Sequence, residues 1–131
     1  MTLTHDPITD ALRHLAEERD AHVDHAGDAY RAAMLRDGDA GGHAAARVAR
    51  QTARWAVAMR AAELAEDWAP EGIGAQLRAL DGMVQDYTLR AYDVRYAVGT
   101  VAATVVDARL NTAQEAMAAA EAAVGVERVP V

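Results

Sequence analysis

The sequence predicts an all-α domain: an antiparallel helical hairpin followed by a long third helix, unbroken or divided in two, the whole forming a helical bundle. Three observations carry this. Apolar residues recur at alternating four- and three-residue spacings along most of the chain. Two breakers, the Gly-rich 38–42 and Ala69-Pro70, divide its first part into segments of helical length. Alanine, the strongest helix former, is abundant and lets helices approach closely. The 131 residues suit one domain, 1–131, with one core.

The first helix is expected over 7–37. Asp6 suits the N-cap, Pro7 the first helical position, and Asp10 the first turn. Leu12, Ala16, Val23, Ala26, Tyr30 and Ala33 form its apolar seam. Arg36 falls in the last turn, before the loop Asp37-Gly38-Asp39-Ala40-Gly41-Gly42. The second helix is expected over 43–68, with Val48, Trp55, Val57, Met59, Leu64 and Trp68 spread around it. Ala69-Pro70 ends it, because the residue before proline avoids the α region.

The third segment, 71–124, carries the most regular pattern. One seam runs Ile73, Leu77, Leu80, Val84, Tyr87, Ala91, Val94, Val98, Val101, Val105, Ala108. A second runs Tyr92, Tyr96, Gly99, Ala103, Val106, Leu110, Ala113, Met117, Ala120, Val124. Heptads sustained in this way favour one continuous coiled-coil-like helix, with Asp81-Gly82 and Asn111-Thr112 as the alternative break points. A flexible tail is expected over 125–131. The Val- and Thr-rich stretch 94–106 lacks the alternation of a strand.

Composition excludes several classes. The net charge is −7 and there is no Lys, so broad nucleic-acid binding is not expected. Without Cys there is neither disulfide nor thiolate chemistry, and without Ser no Ser nucleophile. No phosphate-binding Gly motif is present, so no cofactor is expected. The start Met1–Pro7 has no signal-peptide character, and the uncharged run 96–106 is too short to span a bilayer. A cytoplasmic location is the expectation.

Length also bears on assembly. At about 1.5 Å per residue, a helix over 71–124 is roughly 80 Å long, and the hairpin covers about half of it. The remainder exposes Val98, Val101, Val105, Val106, Leu110, Met117 and Val124, an apolar surface that needs a partner. The expected partner is a second copy of the chain, or another helical protein. A break and fold-back into a four-helix bundle is the alternative.

Several polar groupings are candidate sites. His14, Glu18, His22 and His25 share one face of the first helix, as metal ligands in a bundle do. His43, Arg47, Arg50 and Arg54 make a basic stripe on the second. Such a stripe suits phosphates, although interhelical ion pairs from Asp24 and Asp28 to Arg50 and Arg54 account for it more simply. Arg19 interrupts the apolar seam and needs a partner, and the cluster Tyr87, Arg90, Tyr92, Asp93, Tyr96, with Asp86 and Arg95, is the natural place to seek one. These residues are also candidates to line a small-ligand site.

Arg36-Asp37 followed by His43 resembles the arginine, polar residue, histidine signature of HEPN ribonucleases over residues 36–43. Those proteins are all-α dimers with a composite site, and the resemblance implies Arg36 and His43 as an RNA-cleaving pair. The leading reading remains a non-catalytic helical assembly or protein-interaction module acting as a homo-oligomer. A HEPN-like ribonuclease and a metal- or small-ligand-binding bundle are the alternatives.

Overall fold

The computed structural model describes residues 6–37, 41–93 and 101–125, and its elements are all helical. Helix α1 spans Pro7–Asp37, α2 Gly41–Trp68, α3 Ile73–Asp93 and α4 Val101–Ala123, with a 3-10 turn at Ala69–Glu71 between α2 and α3.

The helix ends follow from local chemistry. Asp6 caps α1: its carboxylate accepts from the Thr9 backbone N–H at 3.2 Å and from the Thr9 hydroxyl. Pro70 sits in the 3-10 turn, and Gly72 takes a φ of 99° that a side chain would resist. The Gly72 carbonyl then accepts the Gln76 N–H at 3.1 Å and opens α3. At the other end of the chain Gly125, with a φ of 76°, closes α4 through its N–H to the Ala122 carbonyl at 3.2 Å.

Side-chain contacts between distant segments set the topology. Arg13 of α1 pairs with Glu66 of α2 at 2.9 Å, as an antiparallel hairpin requires. The Gln76 amide donates to the Asp6 carboxylate at 2.8 Å and to the Ala65 carbonyl at 2.9 Å. It thereby ties the start of α3 to the start of α1 and the end of α2. Helices α3 and α4 pack side by side, and α4 also packs on α2 and α1. The connection from Asp93 to Val101 reaches at most roughly 29 Å. A parallel pair would need more than the length of α3, roughly 31 Å. The pair is therefore antiparallel, and the bundle runs up, down, up, down.

The continuous helix expected over 71–124 is thus replaced by two helices folded onto each other. The predicted break points are not where the chain divides, because Gly82 lies inside α3 and Asn111 inside α4. The two seams are consistent with either arrangement: a face that a second subunit would cover is covered here by the chain itself. Ala108, Ala113, Ala116 and Ala120 of α4 are buried in this way, and Met117 and Val124 pack against the same core. Val105, Val106 and Leu110 remain half-buried. Val98 and the side chain of Val101 lie outside the described residues, as does the tail beyond Gly125.

The core is concentrated in one half of the bundle. Ile8, Leu12, Val57, Leu80 and Thr112 are its largest fully buried side chains, and Leu15 and Met83 join them. In the opposite half, formed by 23–37, 41–54, 84–93 and 101–109, the buried hydrophobic residues among those described are Ala26, Ala53 and Ala108. Large apolar side chains are exposed there, Leu35 at 89%, Leu89 at 67%, and also Met34 and Tyr92, while Met59, Trp68 and Ile73 in the other half are each less exposed than Leu35, Leu89 and Tyr92. No helix among the described residues is long and apolar enough to cross a membrane.

Candidate functional site

Two concavities border the α1–α2 hairpin. On one side, a groove of about 410 Å³ is floored by Ala16, Trp55, Met59 and Ala62. Glu17, Asp20, Glu63 and Glu66 rim it, with Arg13 tied to Glu66. Its apolar floor follows from the four-and-three spacing of α2, which brings Trp55, Met59 and Ala62 onto one stripe.

On the side where Arg19 meets α4 lies a smaller cavity of about 240 Å³. It is lined by Arg19, His22 and His25 of α1 and by Arg47, Gln51 and Arg54 of α2. The three- and four-residue steps within each set project them toward one interhelical seam. Arg19 is held in place from α4: its guanidinium donates to the Glu115 carboxylate, and its side chain is 13% exposed. Its Nη1 also lies 3.4 Å from His22 Nδ1. A guanidinium only donates, so in this contact the ring nitrogen can take part only as an acceptor.

The polar atoms of this cavity are incompletely satisfied. Arg19 Nε, Arg54 Nε and Gln51 Oε1 are buried and have no hydrogen-bond partner. Among the described residues these are the buried side-chain polar atoms in that condition, and all three belong to this one cavity. A buried unpartnered donor costs on the order of 1–3 kcal/mol. Such atoms are generally paired in folded proteins, with protein groups or with ordered water, and their grouping here marks the cavity as polar.

The expected ion pairs from Asp24 and Asp28 to Arg50 and Arg54 are not made. Asp28 pairs with Arg31 on its own helix, and Arg47, Arg50 and Arg54 have no carboxylate partner among the described residues. The i, i+3 contact is local, so it forms without any demand on interhelical register. The basic stripe is therefore left for the cavity.

The His14, Glu18, His22, His25 face divides in two. His14 Nε2 pairs with Glu18 at 3.1 Å on the exposed surface, whereas His22 and His25 turn into the cavity. No group of three metal-binding side chains converges among the described residues. The reason is geometric: His14 and His25 stand roughly 16 Å apart along the helix.

The cluster proposed around Arg19 on α3 is also dispersed. Arg19 finds Glu115 of α4 rather than the α3 residues, because the chain folds back and places α4 beside α1. On α3 itself Arg90 pairs with Asp86 at 2.9 Å and lies over the Tyr87 ring at 5.4 Å. Tyr92 is exposed, while the Asp93 side chain and Tyr96 lie outside the described residues. Arg36 and His43 stand exposed on either side of the α1–α2 connection and line neither concavity.

Gln51 and Glu115 are the two site residues that sequence reasoning missed. Gln51 sits between Arg47 and Arg54 at helical spacing and carried a readable signal. Glu115 carried none, because its role depends on the fold-back of α4. No family model, curated protein or solved structure matches the chain.

Proposed function

We propose that the protein is a non-catalytic helical assembly module that pairs with a second copy of itself through the half of the bundle that its own core leaves thin. The observation that carries this reading is the exposure of Leu35, Leu89, Met34 and Tyr92 in the half where, among the described residues, the buried hydrophobic side chains are alanines. Large apolar side chains left exposed together at one end of a bundle are what a second copy would cover.

Charge favours a second copy as the occupant. The described residues of that half, 23–37, 41–54, 84–93 and 101–109, carry six acids and seven Arg. The described residues of the other half carry twelve acids and four Arg. Two copies meeting through their thin halves bring near-neutral surfaces together and hold the acidic halves apart. A two-fold pairing of this kind uses the same patch on both copies. Half-buried Val105, Val106 and Leu110 of α4 lie in or beside the same half and extend the patch.

Light scattering on a size-exclusion column tests this. The expected mass is twice 13.9 kDa, falling to 13.9 kDa in the double variant Leu35→Asp, Leu89→Asp. Both positions are exposed, so the variant keeps the monomer fold, which circular dichroism verifies. A wild-type mass of one chain at about 100 µM, well above the micromolar range of stable dimers, refutes the proposal.

The outer groove favours a second reading, docking of another helical protein. An apolar floor rimmed by Glu17, Asp20, Glu63 and Glu66 matches an amphipathic helix with basic flanks. Trp55 fluorescence in a Trp68→Phe variant reports such docking. No spectral change with a basic amphipathic peptide, up to about 100 µM, removes this second reading.

A further inference from the structure

We propose that the cavity between α1 and α2, lined by Arg19, His22, His25, Arg47, Gln51 and Arg54, is a binding site for a phosphate group, free or carried as a monoester. The argument begins with charge. In a chain of net charge −7, three of the thirteen Arg converge on one cavity. One carboxylate, Glu115, reaches one of them. Arg47 and Arg54 have no carboxylate among the described residues. Like charges gathered this way repel, and an anion between them turns the repulsion into attraction.

Hydrogen bonding narrows the class. Arg19 Nε and Arg54 Nε are buried N–H donors without acceptors. They belong to neighbouring helices, and both side chains line the same cavity, so an anion held there has cationic groups from both helices around it. A planar carboxylate is matched by the fork of a single guanidinium. Three guanidiniums with two imidazoles offer more donors, from more directions, than a carboxylate accepts. A tetrahedral dianion with three or four acceptor oxygens uses them. Gln51 fits either way: its amide turned by 180° presents Nε2 as another donor, and as placed its Oε1 accepts from a protonated phosphate oxygen.

The cavity also accounts for a feature of the fold. Among the described residues the thin half of the bundle buries only alanines, and Ala26 and Ala53 adjoin the cavity residues His25 and Arg54 in sequence. Where the other half places Leu and Val between α1 and α2, this half places Arg, His and Gln. An anion bound to the cationic donors of this seam adds stability to the hairpin as it fills the site.

Isothermal titration with orthophosphate, at ionic strength matched with chloride, is the experiment, with glycerol phosphate as the ester arm. Saturable binding is expected for at least one of the two. Tighter binding of the ester assigns the site to a phosphorylated organic molecule, and equal binding to the phosphate group itself. Arg47→Gln and Arg54→Gln are each expected to weaken binding at least tenfold. Arg60→Gln, whose side chain pairs with Glu63 on the exposed surface, is expected to leave it within twofold. Arg47 is exposed, so its variant remains informative even where Arg54→Gln disturbs folding. Shifts of the Gln51 side-chain amide in the nuclear magnetic resonance spectrum locate the ligand. The proposal is overturned by absence of saturable binding of both probes up to about 10 mM, or by equal weakening in the Arg47 and Arg60 variants.

Discussion

Asp6→Ala is expected to destabilise the bundle by about 2 kcal/mol, from two separable losses. The first is the N-cap of α1, where the carboxylate accepts from the Thr9 backbone at 3.2 Å. Loss of such a cap costs about 1 kcal/mol. The second is the clamp to α3. Gln76 is 2% exposed and donates to Asp6 at 2.8 Å, so removing the acceptor leaves a buried amide hydrogen unpaired. That adds about 1 kcal/mol. Asp6→Ser separates the two, because serine caps a helix but is too short to reach Gln76, and it is expected to cost about 1 kcal/mol. Urea denaturation followed by circular dichroism measures both, and the alanine variant is expected to lower Tm by roughly 6–10 °C. The acid limb gives a further check. Partial burial pushes the Asp6 carboxyl up, but the hydrogen bonds from Thr9, Gln76 and the Ile8 backbone outweigh it and hold its pKa below the usual Asp value. A depressed carboxylate stabilises the fold above its unfolded pKa, and that stability is lost as the pH falls through the lower folded value. The acid transition is therefore expected to flatten in the alanine variant. Equal costs for the alanine and serine variants, or a cost under about 0.5 kcal/mol for alanine, refute the clamp.

Other positions give sharper tests of single contacts. Leu80→Ala, at a fully buried site, is expected to cost about 2–5 kcal/mol by the same denaturation assay. Gly82→Ala is expected to stabilise α3 by about 0.5–1 kcal/mol, because an added Cβ meets nothing within 4 Å in mid-helix. Gly72→Ala meets nothing either but forces a side chain onto a φ of 99°, so a loss of about 1–2 kcal/mol is expected from the backbone alone. Glu115→Gln removes the carboxylate that holds Arg19. It is expected to cost about 1–2 kcal/mol, discounted because Glu115 is part exposed, and to tighten orthophosphate binding by freeing a guanidinium.

Much of the fold was legible because its signals are local. The Asp6-Pro7 start and the Ala69-Pro70 stop each act within a few residues, and each is found where the sequence places it. The division of the third segment was harder. A four-and-three seam reports which face is buried, not which chain buries it. Leu80 and Ala113 buried in one core within a subunit leave the same pattern as either residue buried against a second subunit. Helix propensity does decline after Asp93, where Val and Thr accumulate around Gly99, but by amounts that tertiary packing overrides in either direction. The expectation of one helix rested on register, and register survives a fold-back.

The polar site shows the complementary case. Spacing alone aligns His14, Glu18, His22 and His25 on one face, yet the structure keeps His22 and His25 together and leaves His14 to Glu18. What divides them is the second helix, which brings Arg47, Gln51 and Arg54 opposite the later turns of α1. Arg19 was the informative residue: a charge in an apolar seam requires a partner, and the sequence indicated the requirement without its solution. Glu115 answers only part of it, since Arg19 Nε stays buried and unpaired. The same remainder appears at Arg54 on the facing helix. Both side chains line one cavity, so the two unmet donors are better read together than as separate defects in packing, and orthophosphate titration tests that reading.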